Sequence, residues 1–194
     1  MIDNNNGSER GKSRKLAVQK ELIACAAVGC VLALLFFGKA LFPLDLQVVA
    51  EFLPGGVRVS YFKDAEFRQL VCTRTARSII RDYGRGSPVW GIDGNVFSAR
   101  WQGFIIVPED GEYSFYLQSN NGARLLIDGE IVIEHWTPHR WIPGKHGQKR
   151  LTKGRHSICV DHYRTTGSAA IRLRWCGGPI PPNTVLAVPY LRKE

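Results

Sequence analysis

Residues Leu22 to Gly38 read LIACAAVGCVLALLFFG and carry no charge, a feature that limits the chain more than any other. Seventeen helical residues at ~1.5 Å each span ~26 Å, slightly short of a ~30 Å hydrocarbon core. Lys39 can reach back to the interface, and Ala40, Leu41, Phe42, Pro43 and Leu44 extend the apolar stretch to Asp45. A helix apolar on all sides must be covered by protein or lipid, and no neighbouring segment could cover this one. No small-x-small cleavage site follows Phe37 ahead of a polar start, so the run reads as a retained anchor. Cys25 and Cys30 each end a lipobox-like string, but most of the apolar run lies beyond them, which argues against lipidation.

Charge sets the orientation. Arg10, Lys12, Arg14, Lys15 and Lys20 precede the run, whereas residues 39–57 carry Lys39 as their only Lys or Arg. The positive-inside bias keeps the N-terminus cytoplasmic and places the C-terminal part in the periplasm or another extracytoplasmic space. The expected organisation is a basic tail over 1–21, a single transmembrane helix over 22–44, a linker over 45–51 and an exported domain over 52–194. The formal charge of +9 permits anionic partners, but the exported topology disfavours nucleic acid.

Beyond Leu44 the pattern is that of strands. Val57–Phe62 alternates, Ser98–Val107 is a longer run, and Pro108-Glu109-Asp110-Gly111 is a turn. In the strand that follows, Tyr113, Phe115 and Leu117 share a face. Arg124–Ile127 and Glu130–Ile133 flank Asp128-Gly129, whose tolerance of positive φ marks a tight hairpin. His156–Tyr163 and Ala169–Cys176 are expected to pair as a second hairpin, with Ile171, Leu173 and Trp175 on one face. Tyr190-Leu191 is expected to pack back on the sheet. Short strands with frequent turns and no helical pattern point to an all-β sandwich or barrel.

Three strings carry a resemblance: Phe97-Ser98-Ala99-Arg100-Trp101-Gln102-Gly103, Val107–Phe115, and Asn121-Gly122-Ala123-Arg124-Leu125-Leu126-Ile127-Asp128-Gly129. With Ile171–Trp175 and Pro181–Leu186, they make residues 52 to 192 closely similar to the protective-antigen (PA14) domain family. The resemblance implies an all-β, PA14-like sandwich or barrel of a kind that binds carbohydrate in several toxins, glycosidases and adhesins. In the yeast adhesin branch, two successive Asp before the Gly-x-Arg-Leu strand hold a calcium ion that contacts the sugar. Asn120 and Asn121 stand at those positions here. Amides supply oxygen but no charge, so they are weak candidate metal ligands. No cofactor is expected, and the turn is expected to satisfy its own backbone.

The candidate carbohydrate contacts are Asn120, Asn121, His139, Trp141 and Tyr163, because aromatic faces stack on sugar C–H edges while polar neighbours bond hydroxyls. Trp136 directly follows a strand and is expected to cover the core. For Trp141, sugar stacking and a plain solvated loop stand equally open. His135, His139, His146 and Glu134 lie close in sequence, but Thr137-Pro138 breaks the helix a zinc pair would need. Lys145, Lys149, Arg150, Lys153 and Arg155 read as a solvated strand edge. A register that sets Cys159 opposite Cys176 permits a disulfide between them, leaves Cys72 unpaired, and puts Asp161 beside Arg174. A shift by two residues separates the two thiols. No Gly-x-Ser-x-Gly, His-Glu-x-x-His or nucleotide-binding glycine loop is present, so no intrinsic enzyme is expected. The expected role is a membrane-anchored, non-catalytic binding module for carbohydrate or another envelope component. A protein-interaction scaffold and an accessory subunit of a glycan-processing enzyme are the alternatives.

Overall fold

The computed structural model describes residues 55–138 and 144–193. The expected tail, anchor and linker lie outside the described residues, as do His139 and Trp141. Among the described residues no helix is long and apolar enough to cross a membrane.

The described chain forms two antiparallel sheets. Their strands are β1 (Val57–Phe62), β2 (Leu70–Ala76), β3 (Ile80–Gly84), β4 (Phe97–Val107), β5 (Gly111–Ser119), β6 (Ala123–Ile127), β7 (Glu130–His135), β8 (Lys145–Leu151), β9 (Gly154–Arg164), β10 (Ala169–Gly177), β11 (Ile180–Val185) and β12 (Leu191–Arg192). One sheet runs β2-β1-β4-β9-β6-β7, with β12 added to β4. The other runs β11-β10-β5-β8, with β3 added to β10.

Strand alternation builds the core. Phe97, Ala99 and Trp101 from β4, Val160 from β9 and Leu125 from β6 point inward from the first sheet. Tyr113, Phe115 and Leu117 from β5 and Ile171, Leu173 and Trp175 from β10 meet them. The Trp175 ring lies 5.5 Å from Tyr113 and 6.4 Å from Phe115, nearly parallel to both, and Tyr190 meets it edge-on at 5.1 Å. The chain end does pack back as expected: Leu191 is buried and β12 pairs with Ile105 and Phe104. Gly103 is needed there, because a Cβ would lie 2.4 Å from the Arg192 carbonyl oxygen.

The β6–β7 hairpin forms over Asp128-Gly129, with φ of 53° and 79°. The expected β9–β10 hairpin does not form. β9 lies between β4 and β6, whereas β10 lies in the opposite sheet beside β5, so residues 165–168 cross between layers. Cys159 and Cys176 therefore sit on strands of different sheets, and both thiols are free, as is Cys72. Asp161 lies opposite Arg100 and Arg124 rather than beside Arg174.

This topology gathers five segments at one end: 63–69, 85–96, 120–122, 136–138 and 165–168. The described chain enters through Gly55, at the far end of β1 from them.

Candidate functional site

The loop after β1 is shaped by one carboxylate. Asp64 accepts backbone N–H bonds from Glu66 at 2.8 Å, Arg68 at 3.1 Å and Gln69 at 2.6 Å, while Ser98 Oγ donates to its carbonyl at 2.7 Å. This girdle holds Phe67 at φ 62°, a conformation bulky L-residues rarely adopt. Desolvation pushes the Asp64 carboxyl up, but bonds from Arg68, Gln69 and Glu66 outweigh it and hold the group below its ordinary 3.8. Its contribution is therefore complete above pH 3.8 and is lost as pH falls through the lower folded value. Carboxyl NMR should show Asp64 titrating below 3.8, with the amide signals of Glu66, Arg68 and Gln69 moving together. Titration above that value would contradict the girdle.

Phe67 reaches over the outer face of the first sheet. There Arg100 on β4 and Arg124 on β6 flank Asp161 on β9, whose side chain is 1% exposed. Arg100 donates from Nε at 2.6 Å and from Nη2 at 2.9 Å, and Arg124 donates from Nε at 3.0 Å and from Nη2 at 2.8 Å. The hydrogen bond to Asp161 raises the Arg100 pKa against the opposing effect of desolvation. Each guanidinium also faces a ring: Arg100 is 4.6 Å from the Phe67 centroid and Arg124 is 4.5 Å from the Trp136 centroid. The two rings are nearly parallel at 21° with centroids 6.1 Å apart, beyond face-to-face contact. Tyr163 meets Trp136 edge-on at 4.8 Å.

Phe67, Arg100, Arg124, Trp136 and Tyr163, with Glu66, Pro138 and Thr165, line a cleft of about 480 Å³. Trp136 thus belongs to this outer surface and not to the core, which corrects the expectation. Beside the cleft, burial and then the nearby Asp161 charge push the Cys159 thiol up to about 12, so it stays protonated and is a poor nucleophile.

Of the expected contacts, Tyr163 lines the cleft, and burial raises the pKa of its phenol. Asn120 and Asn121 do not line it. Asn121 is buried with φ 65° and turns its amide toward residues 165–168. Its Nδ2 donates to the Thr166 carbonyl at 3.0 Å and the Ser168 carbonyl at 3.1 Å. Its Oδ1 accepts from the Thr165 N–H at 3.3 Å and the Thr166 N–H at 3.4 Å. Asn120 Nδ2 donates to Ser168 Oγ at 2.7 Å, and its Oδ1 is buried with no hydrogen-bond partner. Contrary to the expectation of a turn that satisfies its own backbone, the Asn121 side chain satisfies the crossing loop. A calcium ion does not fit this donor set, because the amide N–H groups point at the oxygens a cation would need.

Among the described residues, no group of three or more His, Cys, Asp and Glu side chains could hold a metal. Members of the basic run bind locally: Lys145 Nζ donates to the Glu134 carbonyl at 3.0 Å, Lys149 pairs with Glu130, and the Arg155 guanidinium sits 3.5 Å from the Phe104 centroid.

A second surface feature lies on the 85–96 loop. Trp90 is 95% exposed, although Val89 and Ile92 on either side are buried. Arg164, itself buried, ties this loop down by donating to the Gly86 carbonyl at 3.2 Å. Leu70, Val71 and Val96 are the other exposed large apolar residues at this end.

The PA14 domain model matches residues 54–178. The chain belongs to the PA14 domain family. This PA14 domain is 25% identical over 122 residues to anti-sigma-I factor RsgI3 of Acetivibrio thermocellus, a match spanning 62% of the chain and 19% of that relative. It is 26% identical to the solved structure of an anti-sigma factor domain-containing protein from Clostridium clariflavum, with a TM-score of 0.68 over 73% of this chain and 48% of that one. The sugar-binding PA14 domain of an RTX adhesin shares the fold at a TM-score of 0.61 and 15% identity, over 73% of this chain and all of that one. The chain thus spans less than a fifth of the length of the curated relative it matches.

Proposed function

We propose that this chain is a membrane-anchored, non-catalytic binding module whose exported PA14 domain recognises carbohydrate of the cell envelope or its surroundings. The observation that carries this reading is the cleft in which fixed guanidinium groups face Phe67 and Trp136, and Tyr163 packs edge-on against Trp136. Sugar rings present apolar C–H faces and outward hydroxyls. The rings offer flat apolar surface, and Arg100 and Arg124 offer donors already oriented by Asp161, so little ordering is needed on binding. The sugar-binding PA14 neighbour supports the same class of ligand.

Charge narrows the class. Around the cleft, Arg100 and Arg124 stand against the buried Asp161, Glu66 on the cleft wall, and Glu134, 4.0 Å from Arg124. The site is near charge balance despite the basic chain, which favours neutral sugars over polyanions. Binding should change little between low and physiological salt, where a site built for phosphate or uronate polymers would weaken steeply. The test is a glycan array probed with the full chain in EDTA and in calcium at two salt concentrations. Salt-insensitive binding of neutral glycans is expected, and absence of glycan binding by the folded chain would overturn the reading.

A second reading, a protein-interaction module, draws on Trp90. A nearly fully exposed Trp on a tied-down loop is the kind of residue that anchors protein interfaces. The relatives named as anti-sigma factors are consistent with a module whose ligand state is passed to a protein partner. Trp90→Ala should leave thermal stability and glycan binding unchanged and reduce partner capture on this reading alone.

A further inference from the structure

We propose that the side-chain amide of Asn121 stands in for a cation, closing the 165–168 loop on the 120–122 turn without metal. The loop brings two carbonyl oxygens, from Thr166 and Ser168, to within 3.0 and 3.1 Å of one nitrogen. Two backbone N–H groups, from Thr165 and Thr166, face the other end of the same amide. Only one orientation satisfies this arrangement: nitrogen toward the carbonyls, oxygen toward the N–H groups. A carboxylate here would still accept from Thr165 and Thr166. Its second oxygen would face two carbonyl oxygens, three partial or full negative charges with nothing between them, and would need a cation to bridge them.

Asn121 sits at φ 65°, where Asn and Asp are both tolerated, so Asn121→Asp changes charge without forcing the backbone. The consequence reaches the cleft, because the closed loop carries Thr165 beside Tyr163. The amide therefore acts as a positioning residue that makes the cleft wall independent of calcium.

The experiment is thermal denaturation of the full chain in EDTA and in millimolar calcium. The wild-type midpoint should move by less than about 1 °C between the two buffers, since a ligand that does not bind the native state cannot shift it. Asn121→Asp should fall by about 5 °C in EDTA and recover most of that loss in calcium. Asn121→Ala should fall similarly and gain nothing from calcium, which separates cation replacement from simple loss of hydrogen bonds. The Asn120→Asp/Asn121→Asp double variant supplies a second carboxylate and should respond more strongly. The proposal is overturned if calcium stabilises the wild type, or if neither Asp variant gains stability or folded yield in calcium.

Discussion

Asp161→Ala is expected to destabilise the PA14 domain by about 3 kcal/mol, a fall of roughly 10 °C in the midpoint. The carboxylate is 1% exposed and takes four hydrogen bonds from two arginines on neighbouring strands. Its removal leaves two guanidinium groups converging on empty space. Both arginine side chains are 29% exposed and can turn partly to water, which keeps the loss at the low end for a broken buried network. The larger consequence is local. Phe67 and Trp136 rest on those guanidinium groups, so their ring contacts should loosen together. Chemical denaturation measures the first effect, and near-ultraviolet circular dichroism of the aromatic cluster measures the second. A variant within about 1 kcal/mol of wild type, against the ~3 expected, would show that the three charges do not act as one unit.

Gly122→Ala is expected to cost about 2–3 kcal/mol through a clash rather than a loss. A Cβ at Gly122 would lie 2.0 Å from Tyr163 Cε1 and 2.5 Å from Cζ. The ring has little room to move aside, because Tyr163 is buried and packs edge-on against Trp136. The Tyr163 backbone N–H also donates to the Gly122 carbonyl at 2.9 Å, which pins the two segments together. The strain should therefore pass to Trp136 and distort the cleft as well as lower stability. Calorimetry of Gly122→Ala checks the stability change. An unchanged midpoint would mean the turn shifts freely, against the packing described.

Local periodicity made several elements legible in advance. Tyr113, Phe115 and Leu117 alternate with polar residues, as do Ile171, Leu173 and Trp175, and both sets line the core. Asp128-Gly129 forms its turn because that dipeptide accepts two successive positive φ values. The partner of β9 was not legible. Successive strands usually pair, yet here the chain changes sheets at residues 165–168, and the choice depends on Asp161 meeting arginines 61 and 37 residues away.

The site was legible only in part. Tyr163 is among the expected contacts, whereas Phe67 lies in the loop Asp64-Ala65-Glu66-Phe67-Arg68-Gln69, which has no periodicity to mark it. Trp136 lies on the outer face and not in the core as expected, because a place directly after a strand suits either position. Arg100 and Arg124, each inside an apolar strand, were the available signal, since an arginine between inward-facing residues must lie on the outer face. Asn120 and Asn121 lie in a turn, as expected, but what their amides bind emerges only from the crossing loop.

The Phe67–Trp136–Tyr163 cleft is the proposed carbohydrate site. The most direct measurement is the affinity of full-chain Trp136→Ala, against wild type, for the neutral glycan that scores highest on the array. Loss of about tenfold or more in affinity, roughly 1.4 kcal/mol, is predicted, with a midpoint of unfolding close to wild type because Trp136 lies outside the core. Wild-type affinity in a folded Trp136→Ala protein would place the binding surface elsewhere on the domain.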